Sequence, residues 1–353
     1  MTASHLTRRR LLAAGLAAPL APGLFAGSVT AARAAGSMVA TTYPGTWETA
    51  QRQILLPAFT KASGASVTLQ PVLALEAVAK ISASRQTPPF DVVLLDEGPY
   101  LAALDMGIFA PLPKDKVTNL ASQSERFTDP NGHGAFISAQ IVGIAYNPTA
   151  IKTPPTSWLD LWKPEYKGRV GITGMGSSLG TAWMVEIAKL HGGSESNMEP
   201  AFEAVKKLLP NLGAVAPNPG ALATLFQQGQ IDISYNFVNG VLPLVQRGVD
   251  IAMARPESGW VLVRNSLHAV MNSANIDLAY GYIDAALSTE VQSQMASAPN
   301  FLAPTNRAVP FGSELKKVAA DNDELAKLTL IDWKTINPQR AALIARFNKE
   351  IRI

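Results

Sequence analysis

Strand-like and helix-like segments alternate along this chain, and that rhythm limits its fold more than any other feature. The apolar segment 38–42 reads as a strand and leads into a turn at Tyr43-Pro44-Gly45-Thr46. Thr46 can cap a helix that runs to Lys61 and turns Ala50, Ile54, Leu55, Ala58 and Phe59 inward, with Pro57 kinking it and Gly64 closing it. Segment 66–69 is a second strand, 76–84 a helix and 89–95 a third strand. The unbroken Val-Val-Leu-Leu run of that third strand suits burial on both faces of a parallel sheet. A helix over 100–106 stops at Gly107. This repetition argues for an α/β fold on open, mostly parallel sheets. Such sheets bind ligands beyond the carboxyl ends of their strands, so function belongs to the loops just after strands.

The middle of the chain is the most distinctive part. Gln140-Ile-Val-Gly-Ile-Ala-Tyr-Asn147 is apolar and β-branched, which predicts a buried strand. Pro154-Pro155 then blocks regular structure, because neither residue donates a backbone hydrogen bond. Ser157 and Asp160 stand at capping-box spacing before a short helix whose Trp158, Leu161 and Trp162 share one face. Lys167-Gly168 turns the chain into a strand over 169–173, and further helices are expected over 200–209, 222–228, 278–287 and 290–296.

The series Gly-Ile-Ala-Tyr-Asn, Pro-Pro-Thr-Ser-Trp-Leu-Asp-Leu-Trp-Lys-Pro-Glu-Tyr-Lys-Gly-Arg-Val resembles the hinge and early second lobe of bacterial extracellular solute-binding proteins. The likeness is nearest to the spermidine/putrescine-binding branch and covers about 41–306. It implies a two-lobed periplasmic-binding-protein fold of type II character, each lobe an open sheet with flanking helices, joined by a hinge. The implied lobes are 38–138 with 261–318, and 139–260 with 319–353. It also implies a small-molecule solute held by hinge closure, an inner-membrane ABC permease as partner, a monomer, no cofactor and no catalysis. Segment 227–236 looks like the family's second ligand-contacting strand, and Pro256-Glu257-Ser258-Gly259-Trp260 like the return crossing. Many polyamine binders carry Trp-x-Asp at that return, its aspartate meeting an ammonium group. This chain has Arg264 and Asn265 where the acid is expected.

At the start, Thr7-Arg8-Arg9-Arg10-Leu11-Leu12, an apolar stretch through Phe25 and Ala32-Arg33-Ala34 read as a twin-arginine export signal covering 1–34 and removed after transport to the periplasm. The apolar run is broken by Pro19 and Pro22, which argues against a membrane span. The absence of cysteine excludes disulfides and a lipid-modified cysteine. The whole chain has 30 basic and 27 acidic residues. With Arg8, Arg9, Arg10 and Arg33 gone, 26 basic face 27 acidic, so the basic pI belongs largely to the signal. The remaining cations are scattered, without a basic patch interleaved with aromatics, which argues against nucleic acid.

Four strand-end loops supply candidate ligand contacts: Tyr43 and Trp47 after the first strand, Asp96 and Glu97 after the third, Ser177, Ser178 and Thr181 after strand 169–173, and Tyr235 and Asn236 after strand 231–234. Trp260 joins them as a stacking residue, with Trp47 and Tyr235, for an apolar or cationic solute. Asp96, Glu97 and Glu257 suit a cation, and the nearest branch tips the reading to a polyamine-like one. The helix start at Ser177–Thr181 suits a carboxylate, phosphonate or amino acid-like zwitterion instead. Gly176-Ser177-Ser178-Leu179-Gly180 also matches G-x-S-x-G, so a hydrolase with Ser178 as nucleophile, His268 as base and Asp232 or Asp250 as acid is the reading of another class. His268 reads as a strand interior, which disfavours it. His133, His191 and His268 lack metal-ligand spacing, and the adjacent tyrosines by which iron-binding relatives hold metal are missing, since Asn236 follows Tyr235.

Overall fold

A computed structural model describes residues 36–352, and the expected export signal lies outside them. The described residues form ten strands: β1 (Ser37–Thr42), β2 (Ser66–Pro71), β3 (Val92–Asp96), β4 (Ala135–Tyr146), β5 (Val170–Thr173), β6 (Leu212–Ala216), β7 (Ile233–Phe237), β8 (Ala252–Ala254), β9 (Val261–Ala269) and β10 (Thr329–Leu330). Their order is β2-β1-β3-β9-β4-β7-β5-β6, with β10 beside β9 and β8 beside β4. Both outer parts follow the expected parallel pattern, β1 pairing with β2 and β3, and β5 with β6 and β7. The centre is antiparallel: β9 pairs with β3 on one side and with β4 on the other, and β4 pairs with β7. Two open half-sheets are thus fused through β4 and β9 into one curled sheet, with helices packed against it.

Each half has its own core. Trp47, Phe59, Leu94 and Tyr282 pack in the first, and Trp158, Trp183, Phe202, Tyr235 and Phe347 in the second. All twelve residues of β4 are buried, as a strand covered on both faces requires. The C-terminal helix Trp333–Glu350 adds Ile336, Leu343 and Phe347 to the second core. It also reaches the first half, where Trp333 lies so close to Gly98 that an added Cβ would come within 2.3 Å of its ring. Asn337 Nδ2 donates to the Gly98 carbonyl at 2.8 Å.

Local departures have identifiable causes. Thr46 does not cap the first helix; its hydroxyl donates to the Asn239 carbonyl at 3.0 Å, and Gly45 at φ 92° takes the cap position. The segment 46–63 is not one continuous α-helix, and its irregular stretch comes just before Pro57. Gln51–Leu55 opens into a π-type turn, which absorbs the bond that proline cannot donate. The capping box of Ser157 and Asp160 forms as expected, although the element it starts, Trp158–Trp162, is a single 3-10 segment.

Candidate ligand-binding cleft

A cavity of about 420 Å³ opens where strand ends of both halves meet. Of the ten residues expected at a site, it brings together Tyr43, Trp47, Asp96, Ser177, Ser178 and Asn236 along its lining. Glu97, Thr181, Tyr235 and Trp260 are not part of that lining, and each has a physical reason to be elsewhere.

Asp96 ends β3 opposite Asn265 of β9, and that register lets Asn265 Nδ2 donate to Asp96 Oδ1 at 2.7 Å. The same amide donates to Gln140 Oε1 at 3.0 Å, and Gln140 Nε2 to Asn239 Oδ1 at 3.3 Å. A chain of amides therefore crosses the cleft floor from the first half to the second. Burial raises the Asp96 carboxyl above its usual pKa; Ser178, Tyr43, the charge of Arg340 and Asn265 pull it back. The Tyr43 and Ser178 hydroxyls face Asp96 without closing a hydrogen bond of normal geometry, and both oxygens are buried and unpartnered. Burial, then the charge of Asp96, pushes the Tyr43 phenol well above its usual range, so it remains a donor.

The opposite wall is built by the Ser178–Leu190 helix and the end of β7. Ser177 is its N-cap: Oγ accepts from Gly180 N at 3.0 Å and donates to the Gly174 carbonyl at 3.1 Å. Thr181 is spent internally, its hydroxyl donating to the carbonyls of Met175 at 2.8 Å and Ser177 at 3.1 Å. Of these three residues, Ser178 alone has a hydroxyl without a hydrogen-bond partner. Gly180 is needed because a Cβ there would lie 2.2 Å from the Gly174 carbonyl oxygen, so the G-x-S-x-G spacing reflects tight packing of helix start on strand end. The triad does not assemble around Ser178. His268 is buried against the rings of Tyr100 and Phe109, its two nitrogens bonded to Ser266 Oγ at 2.7 Å and the His133 carbonyl at 2.9 Å. Burial pushes its pKa down to about 4. Asp232 is paired with Arg169 at 2.6 Å.

Asn236 commits Oδ1 to the Phe237 amide at 2.8 Å and leaves Nδ2 buried and unpartnered at the cavity. Its neighbour Tyr235 points the other way, as alternation along a strand demands. Its ring stacks on Trp183 at 4.5 Å, and its hydroxyl accepts from Thr173 N and donates to Thr173 O, both at 2.9 Å. Trp260 lies over Gly143 of β4, where any Cβ would sit 2.0 Å from its ring. Glu97 is gripped by both Nε and Nη2 of Arg264, the residue standing where an acid was expected. That pairing joins positions 167 apart, and no local sequence pattern announces it.

Arg340 was not foreseen at all. Its guanidinium is buried, with Nη2 3.4 Å from the Met175 carbonyl and the Trp333 ring 5.2 Å away, while Nε and Nη1 have no partner. Burial lowers its pKa to about 10 against the opposing pull of Asp96 and Tyr43.

The profile of a family described as "Bacterial extracellular solute-binding protein" matches residues 87–338. The spermidine/putrescine-binding periplasmic protein of Escherichia coli is 26% identical over 213 residues, which cover 56% of this chain and 58% of that protein's length. The crystal structure of an ABC transporter protein from Clostridium perfringens superposes with a TM-score of 0.70 at 27% identity, covering 89% of this chain and 100% of that one. A periplasmic binding protein from Actinobacillus pleuropneumoniae, solved with fructose-6-phosphate, shares the fold with a TM-score of 0.73 at 21% identity, covering 90% of this chain and 98% of the other.

Proposed function

The chain belongs to the family of bacterial extracellular solute-binding proteins, and on that premise we propose that it is the periplasmic component of an ABC importer. It captures a small polar solute in the cleft and delivers it to an inner-membrane permease. The lobes 38–138 with 261–318 and 139–260 with 319–353 close on the solute by bending at β4 and β9, and the closed form is what the permease reads. No bond is made or broken.

One observation carries this reading: residues of both walls that line one cavity each hold a buried polar atom without a hydrogen-bond partner. Tyr43 Oη and Trp47 Nε1 come from the first half, Ser178 Oγ and Asn236 Nδ2 from the second. A buried polar group without a partner costs about 1–3 kcal/mol, and a solute supplying the partners recovers it. Trp47 Nε1 and Asn236 Nδ2 can only donate, and the Tyr43 and Ser178 hydroxyls can donate either to Asp96 or to a solute, so we read the cleft as suited to an acceptor-rich end, a carboxylate, phosphonate or amino acid-like zwitterion. A polyamine-like cation is the second reading, favoured by Asp96 at the cleft and by the name of the Escherichia coli relative.

The experiment is a thermal-shift screen of polar metabolites on the purified protein, followed by calorimetry. A bound solute at a hundredfold excess over Kd adds about 2.7 kcal/mol of stability, a plain shift in Tm. Turnover of a generic ester that disappears in Ser178→Ala would overturn the binding reading in favour of hydrolysis.

A further inference from the structure

The lining of the cleft carries one carboxylate and one cation, and they stand at opposite ends. Asp96 lies on the buried floor, joined through Asn265 and Gln140 to Asn239, the second residue of helix Val238–Gln246. Arg247 caps the far end of that helix and is exposed. At 1.5 Å per residue the step from Asn239 to Arg247 is about 12 Å along the axis. Between them the helix shows the cavity Gly240, Pro243 and Leu244, an apolar stretch at helical spacing. Helix Pro219–Gln227 beside it repeats the sequence, Gly220 and Ala223 giving way to exposed Thr224 and Gln227. The inner ends of both helices meet the first wall: Thr46 Oγ donates to the Asn239 carbonyl at 3.0 Å, and a Cβ on Gly220 would lie 3.8 Å from the Pro44 carbonyl oxygen. The cleft is therefore a passage with a polar inner end, an apolar middle and a basic mouth. A cation at a helix C-terminus is favourable in itself, but this one also lines the cavity and, among the described residues, joins no ion pair. Volume points the same way. With about 30 Å³ for each water-sized unit of liquid, a five-atom anion such as phosphate fills less than half of the 420 Å³.

We propose that the cleft takes a two-ended solute: an acceptor-rich head on the floor, a carbon skeleton along the two helices, and a distal carboxylate or phosphonate paired with Arg247 at the mouth. The inference rests on the solute-binding reading above and names its solute class. The head meets the donors of Ser178 and Asn236, and the skeleton covers Ala223, Pro243 and Leu244. Arg247 then measures length, because only a solute that spans the apolar middle brings its second acid within reach.

Titration calorimetry of the full chain with α,ω-dicarboxylates from succinate to sebacate, beside monocarboxylates of equal length, tests it. Affinity should pass through a maximum at intermediate length, and the best diacid should exceed its monoacid about fivefold, the upper end for an exposed ion pair. Arg247→Met should bring that diacid down to its monoacid, Arg247→Lys should keep part of the advantage, and added salt should shrink it in the wild type. Ala223→Trp fills the apolar middle and should shift the optimum to shorter diacids. An advantage that Arg247→Met leaves untouched overturns the proposal. So does tighter binding of inorganic phosphate, succinate or spermidine than of every longer diacid, and in each of these cases the solute-binding reading stands. Silence toward all the acids overturns the proposal, and a hit elsewhere in the metabolite screen then keeps the solute-binding reading alone. Silence toward every compound overturns both.

Discussion

The two walls of the cleft are made differently. The first offers rings and one acid: Tyr43 and Trp47 on the loop and helix after β1, and Asp96 at the end of β3. The second offers small side chains with free donors, Ser178 at a helix start and Asn236 at the end of β7. In both walls an adjacent pair splits its duties. Asp96 faces the cleft while Glu97 turns into Arg264; Asn236 faces the cleft while Tyr235 stacks on Trp183; Ser178 is free while Ser177 caps. The lesson is that the residue beside a cleft-lining one often has a structural task of its own, because successive side chains along a strand point to opposite faces.

Breaking the second wall's structural partner should have the largest effect. Tyr235→Ala removes a fully buried ring and should cost about 3–5 kcal/mol in denaturant unfolding, with affinity per folded molecule unchanged. Lost binding with an intact Tm would instead put the ring in the cleft. Ser178→Ala should leave Tm nearly unchanged and weaken an anionic solute by about 1.5–3 kcal/mol in calorimetry. If Ser177→Ala proves as damaging to affinity as Ser178→Ala while stability is untouched, the division between cap and contact is wrong. Gly143→Ala drives a methyl into Trp260 and should cost about 1–3 kcal/mol of stability, since Trp260 packs on β4 and does not line the cavity.

The acid of the first wall makes a subtler prediction. The Asp96 carboxyl is raised by burial above 3.8, so the folded state holds a proton that the unfolded chain has released in the window just above that value. Its contribution is present below the unfolded pKa and is lost as pH rises through the folded one, so unliganded stability should fall with rising pH across that window. Asp96→Asn should flatten this slope in a pH series of melting curves; an unchanged slope would assign it to another group. The smallest effect on the cleft is none. Replacing Arg8 and Arg9 with lysine should hold the precursor in the cytoplasm, detected by fractionation, and leave the mature protein's affinity as it was.

Much of the fold was legible because it is written locally. The unbroken run at Val92–Leu95, the capping box at Ser157 and Asp160, and the stop at Gly64 each depend on neighbours a few residues away. Six of ten expected contacts do line the cavity because the rule that ligands meet strand ends is geometric. The other four lie off that lining, placed by partners that are remote in the sequence or by their own helix start. Arg264 reads as the wrong residue for an ammonium site and Glu97 as a carboxylate for one, but nothing in either segment says that they satisfy each other. Arg340 lies in a polar helix pattern where a buried cation looks like any exposed one. Which of two adjacent polar residues faces the cleft depends on strand register, and register is set by partners remote in sequence.

The fusion of the two half-sheets through β4 and β9 has a consequence for how motion would be observed. Hinges are commonly sought as segments whose amide protons exchange quickly with solvent. Here β4 is the longest strand among the described residues, laddered to β7, β8 and β9 along a wholly buried course. A ribbon of that kind bends by distributing small twists over many intact hydrogen bonds, with none opening. If the lobes close as proposed, its amides should be among the slowest to exchange while small-angle scattering detects the closure, and protection and mobility would then coincide in one segment.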